Sequence, residues 1–329
     1  MTDTRTRRFA LGALVAIAAG LAAALLFVLH AKGSLAGVAL LLFTPLPVMI
    51  ASLSYGLAIG ASASIIGALF LAGVFQPLIA LGFIISMGAP AAVVATAAVL
   101  ASPADDAHPR DRAPTVAVMA AVAASVCVAA LVLAINVWRA GGFDPFVTSS
   151  AQELTPVVKE MLGETHADLG LDPQRLARLL ILFAPVGLAG SELLLMTGNL
   201  WLAGRVAVIS GNLPRPWPKL ADDLWLPPLA ALALALACGL AFLTGPAGVL
   251  AGAVAAALGG AFALQGLAVA HVLTRGVNLR PAFLFSLYAL VLLLPVWPLL
   301  FLAIAGIADA LFRLRAKKSA SINRQNTKL

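Results

Sequence analysis

Glu192 is the one carboxylate that the sequence sets clearly in the middle of an apolar run. In APVGLAGSELLLMTGNLWLAGR it stands 14 residues after Arg178 and 13 before Arg205. At about 1.5 Å per helical residue, that spacing puts it near the centre of a bilayer, where a charge costs at least ~2.5 kcal/mol. Pro185 and Asn199 lie seven residues to either side, close to two helical turns, so the three share a face. Pro185 removes an N–H and so frees a carbonyl nearby, and Ser191 is adjacent. Gln265 and His271 in LQGLAVAH, Asn136 in INVW, and Ser286 and Tyr288 in LFSLYAL are the polar groups that other spans could bring to this stripe. Two chemistries fit. Glu192, Asn199, Gln265, His271 and Tyr288 could form a midplane substrate-binding or proton-transfer site. Alternatively, a protonated Glu192 could donate a single hydrogen bond between helices. His271, near the end of its helix, also suits a capping role at the negative end of the helix dipole.

These side chains need helices that cross lipid. The 329 residues are 62% hydrophobic and 11% charged, with a mean hydropathy of +1.02, against roughly 25% charged residues in a soluble domain. That composition gives a single, all-α, polytopic membrane bundle over 1–329, with room for about eight or nine spans. Apolar stretches fall at 9–29, 34–54, 56–74, 77–100, 114–138, 176–204, 226–244, 246–271 and 281–311. Each must be helical because the bilayer offers the backbone no hydrogen-bond partner. HAKG, FQP and TGPAG force tight reversals between neighbours. Small residues at four-residue spacing, Gly56, Gly60 and Ser64 or Gly248 and Gly252, allow close helix contacts.

Basic residues orient the chain. Arg5, Arg7 and Arg8 place the N-terminus in the cytoplasm, and Arg110, Arg112, Arg205, Arg215, Lys219, Arg275 and Arg280 then share that side. The basic tail over 312–329 belongs there too. Nine full crossings would put it outside, so either one stretch is partial or the last is a hairpin broken at PVWP. The net charge of +7 resides in such short flanking runs, which argues against a nucleic-acid partner and for the lipid bilayer of an inner membrane. The outer loop over 139–177 contains SSAQELTPVVKEML. Its Ser150 and Glu153 fit a capping box, predicting an amphipathic helix over 150–162 with Leu154, Val157, Val158, Met161 and Leu162 on one face. That helix would lie in the membrane interface or cap a cavity. Cys127 and Cys238, inside apolar runs, read as core residues.

The polar segment NLWLAGRVAVISGNLPRPWPKLADDLWLPP (199–228) divides by role. Asn199 stays in the membrane, and Arg205 snorkels at its edge. Pro214, Pro216 and Pro218 impose an extended connector, Trp217 and Trp225 suit the interface, and LPP opens the next span. Asp105, Asp106 and His108 in SPADDAHPRDR read as a solvated turn. The sequence has no phosphate loop, HExxH or GxSxG motif and no metal-ligand spacing, so no enzyme, cofactor or metal is expected.

FTPLPVMIASLSYGLAIGASAS, GNLWLAGRVAVISGNLPRPWPKLADDLWLPP and LQGLAVAHVLTRGVNLRPAFLFSLYALVLLLPVWPLLFLAIAGIADALFRLR together resemble the YybS-like membrane proteins, a domain family of unknown function. The first helices are similar in pattern to the substrate-binding subunits of energy-coupling-factor vitamin transporters and to the rod-shape protein MreD. The resemblance implies a multi-pass membrane protein and no particular activity. Two roles are therefore weighed: a component that binds or transports a small-molecule ligand, and a scaffold that recruits a membrane protein partner through its inner loops and tail.

Overall fold

The computed structural model describes residues 2–29, 35–101, 112–163, 170–213 and 217–318. Side chains are placed from Ala10 in the first segment and from Ala36 in the second. HAKG, the Asp105–Asp106–His108 turn, Pro214, Arg215, Pro216 and the tail from 319 lie outside the described residues, as do the side chains of Arg5, Arg7 and Arg8.

Every described element is a helix. In chain order they are α1 (Thr2–Leu29), α2 (Leu35–Leu41), α3 (Leu46–Tyr55), α4 (Leu57–Val74), α5 (Pro77–Phe83), a π turn (Ile84–Gly88) and α6 (Ala89–Ala101). There follow α7 (Ala113–Arg139), α8 (Phe143–Leu162), α9 (Pro173–Ile209), α10 (Leu220–Asp223), α11 (Pro228–Leu240), α12 (Pro246–Leu273), α13 (Arg280–Leu293) and α14 (Val296–Phe312). Among the described residues, seven apolar segments are long enough to cross a membrane: 10–29, 36–55, 57–74, 77–101, 113–139, 173–209 and 246–273. The remaining apolar helices α11, α13 and α14 are shorter, so the expected spans 226–244 and 281–311 are not continuous helices.

Proline chemistry explains where spans break. Pro45 and Pro47 have no N–H to give to Leu41 and Phe43. Those carbonyls are met instead by the tighter bonds from Thr44 N (3.1 Å) and Leu46 N (3.1 Å), and the second span becomes α2, a turn and α3. Pro90 cannot donate to the carbonyl of Ser86, and the π turn falls there. Pro295 ends α13 at Leu293 in the same way. Arg275, beyond α12, and Arg315, beyond α14, both bind α10, so the chain between them leaves and returns at one end of the bundle, reversing at Leu294 and Pro295.

The 37-residue α9 is the hub and contacts α3, α6, α7, α8 and α12. At about 1.5 Å per residue it is longer than a hydrocarbon core of about 30 Å, and α8 lies along its N-terminal part. Asp172 caps α9 by accepting from Gln174 N at 2.9 Å. The helix expected over 150–162 begins seven residues earlier, after Gly142 (φ +150°), with Asp144 in its first turn. Ser150 is therefore interior rather than a cap. Val147, Ala151, Leu154, Val158 and Leu162 form the inward row, while Val157 and Met161 point outward.

Further expectations are corrected. Cys127 and Cys238 are exposed on outward helix faces, where a bilayer supplies the apolar surroundings that the sequence assigned to a core. Trp217 lies on Gly204, where any Cβ would strike the indole. Helices α12 and α14 meet through Gly266 and Gly306, each of which faces backbone of the other helix.

Candidate functional site

The residues that the sequence grouped into one site occupy three places. The first is at the break between α2 and α3. Leu46 N is committed to Phe43, so the carbonyl of Leu42 has no helical donor, and Asn199 Nδ2 donates to it at 2.8 Å. The same Nδ2 donates to Leu195 O at 2.9 Å, which fixes the amide and leaves Asn199 Oδ1 as an acceptor. Thr44, Glu192 and Asn199 are 0, 3 and 6% exposed. Thr44 Oγ1, Glu192 Oε1 and Asn199 Oδ1 have no hydrogen-bond partner. Pro185, Ala189, Glu192, Met196, Asn199 and Ala203 form one buried row on α9, as the seven-residue spacing predicts. Asn136 instead bonds within its own helix, to Val132 O at 2.7 Å.

The second place is a closed polar network. Gln265, Asp309 and Arg315 are 0, 0 and 2% exposed. Gln265 Oε1 accepts from Leu226 N at 2.7 Å, and its Nε2 donates to Asp309 Oδ2 at 3.0 Å. Asp309 also accepts from Arg315 N at 3.0 Å and from Arg315 Nε at 2.8 Å. The guanidinium donates onward to Ala221 O and Leu224 O, both at 2.6 Å, and stacks 4.0 Å from the Trp225 ring. Trp225 Nε1 donates to Asp222 O at 2.7 Å, and Trp225 N and O pair with Thr115 Oγ1 of α7 at 3.0 and 3.1 Å. Trp225 is thus an internal hub and not an interfacial anchor. Arg315, read from the sequence as part of a basic tail, is buried. Sequence reasoning missed Asp309 because it lies near the end of the last apolar stretch; its spacing of four from Arg313 and six from Arg315 was the available signal.

The network fixes the connector, and the connector walls the third place. LADD, expected to be extended, forms the single turn α10. Above it opens a cavity of about 870 Å³ between α7, α9, α12 and the connector. Its walls are apolar, with Leu53, Ala117, Leu194, Trp201, Leu213, Trp217, Leu264 and Leu267 among them. One end is polar, with Lys219, Asp222, His271, Arg275 and Tyr288. His271 Nε2 and Tyr288 Oη are 2.8 Å apart. Glu192, Asn199 and Gln265 do not line this cavity, and neither does any residue of α8.

Arg275 grips Asp222 with two bonds of 2.7 and 2.9 Å. These hydrogen bonds hold the Asp222 carboxyl below its ordinary range. A carboxyl with a lowered folded pKa stabilises the fold above its unfolded pKa, near 3.9, and that contribution disappears as pH falls through the folded value. Both side chains are about 40% exposed, which limits the pair to at most about 1 kcal/mol. Asp222→Asn will therefore lower thermal stability slightly at pH 7, and the difference from the wild type will vanish in the acid range below the carboxyl pKa. Thermal melts at the two pH values check this.

The helices and the cavity define a polytopic α-helical membrane protein with a pocket that is polar at one end. Residues 21–310 match the family model described as predicted membrane protein (DUF2232), and the chain belongs to that family. No curated protein and no solved structure matches it.

Proposed function

We propose that this protein binds an amphiphilic small molecule at the connector end of its bundle, as a binding or transport component rather than an enzyme. The observation that carries the reading is the 870 Å³ cavity, within the range of about 300–1,000 Å³ usual for small-molecule sites. An apolar ligand body fits among Leu194, Trp201, Leu264 and Leu267, and a polar group fits among Lys219, His271, Arg275 and Tyr288. The chain carries no nucleotide-binding motif, so movement of such a ligand would draw on a partner protein or an ion gradient. We place the connector end on the cytoplasmic face of an inner membrane, with both termini there, because Arg205, Lys219, Arg275 and Arg280 flank the spans at that end.

The scaffold reading draws less support. The connector that would recruit partners spends Asp222, Leu224 and Trp225 on internal contacts.

Gly198 lines the cavity, and a Cβ there meets nothing within 4 Å, so Gly198→Trp introduces a bulky side chain at the cavity wall without a clash at its Cβ. Native mass spectrometry of protein purified in mild detergent will show a retained amphiphile on the wild type and none on folded Gly198→Trp. Equal retention by both would remove the reading.

A further inference from the structure

The polar end of the cavity has donors to spare. Lys219, Asp222 and Arg275 line it together, two cations against one carboxylate. Arg275 gives one N–H from each terminal nitrogen to Asp222, which leaves three of a guanidinium's five N–H donors. The Lys219 ammonium makes no hydrogen bond or ion pair among the described residues. Asp222 shows how close the two cations stand. Hydrogen bonds from Arg275 are the main cause of its lowered carboxyl pKa, and the charge of Lys219 acts in the same direction. Trp217, which also lines the cavity, carries a buried Nε1 donor without an acceptor.

The acceptors nearby are spent. Along the connector, Lys219 O accepts from Asp222 N and Asp223 N, and Leu220 O accepts from Leu224 N. Ala221 O and Leu224 O accept from Arg315, and Asp222 O accepts from Trp225 Nε1. His271 Nε2 and Tyr288 Oη are paired with each other. A head group entering this end therefore meets unspent N–H donors and a net positive charge. Building on the amphiphile reading proposed above, we infer that the cavity selects an amphiphile with an anionic, oxygen-bearing head group, bound between Lys219 and Arg275. Hydrogen bonds from Lys and Arg to such oxygens are roughly twice as strong as neutral ones. A cationic head group would meet like charges instead, and a neutral one would leave the positive charge uncompensated.

The test uses the full-length protein in neutral detergent and two radiolabelled probes with the same tail, dodecyl glycerol and dodecyl glycerol 3-phosphate. The phosphate probe will bind the wild type about tenfold or more tightly than the neutral one. Lys219→Gln will cut that preference severalfold, whereas Lys219→Arg, which keeps the charge, will retain it. Lys219 is exposed, so neither substitution disturbs the packed interior. Added salt will narrow the difference between the probes, because a partly exposed charge is screened. Equal affinities for the two probes would overturn the anionic preference and leave the amphiphile reading standing. An undiminished preference in Lys219→Gln would overturn the placement of the head group, and saturable binding of neither probe would overturn the inference and the amphiphile reading together.

Discussion

Arg315→Met will destabilise the folded protein by about 3–5 kcal/mol, the range for removing one partner of a buried ion pair. The cost arises from what stays behind. Asp309 is left at 0% exposure without its guanidinium partner, and Ala221 O and Leu224 O lose their donors. Pairing Asp309→Leu with Arg315→Met will recover part of the loss, because replacing both members of a buried pair with apolar groups leaves no orphaned charge. Denaturation of the wild type, both single variants and the double variant gives the coupling directly. A cost under about 1 kcal/mol for Arg315→Met, the scale of a surface pair, would show that the network does not hold the connector.

Gly306→Val will cost about 3 kcal/mol or more, at the upper end of overpacking effects. A Cβ on Gly306 strikes the carbonyl of Phe262, and Gly266 on the facing helix is closed in by the carbonyl of Leu302. Both obstacles are backbone, so neither can turn aside as a side chain would, and α12 and α14 must separate. Asp309 lies three residues beyond Gly306, so the separation also pulls it from Gln265. Gly259→Ala serves as the control. It lies on the same α12, its Cβ meets nothing within 4 Å, and it should match or slightly exceed the wild type because alanine is the better helix former. Thermal unfolding of the two variants side by side checks the contrast.

The class of fold was legible because lipid leaves the backbone few options, so composition and apolar run length suffice for it. The Glu192 row was legible for a related reason: helical periodicity places Pro185, Glu192 and Asn199 on one face whatever surrounds them. What they face was not legible. The bond from Asn199 to Leu42 spans 157 residues, and nothing local in either segment announces it. The three-way division of the expected site has the same origin, since periodicity assigns a face but not the helix opposite. Ser150 misled because a capping box is a local signal, and the Gly141–Gly142 pair had already started α8 with positive φ values. Arg315 misled because a basic residue beyond an apolar run usually meets headgroups. Here the left-handed Arg313 (φ +54°) turns the chain back, so that Arg315 points into the bundle.

The polar segment around residues 211–228 takes its meaning from this arrangement. Trp217, Lys219 and Asp222 wall the cavity, with Asp222 held by Arg275, while Trp225 packs under the Arg315 guanidinium. On the proposed function, this cavity receives the apolar body of an amphiphile. Trp217 lines it, so its fluorescence reports occupancy. Titration of the purified protein with a single-chain brominated amphiphile will produce a saturable quenching component that is reduced in Trp217→Phe, where Trp201 remains in the wall, and lost in Gly198→Trp. Quenching that rises linearly with probe and is identical in all three proteins would mean that the probe meets only the outer surface, and would contradict the claim.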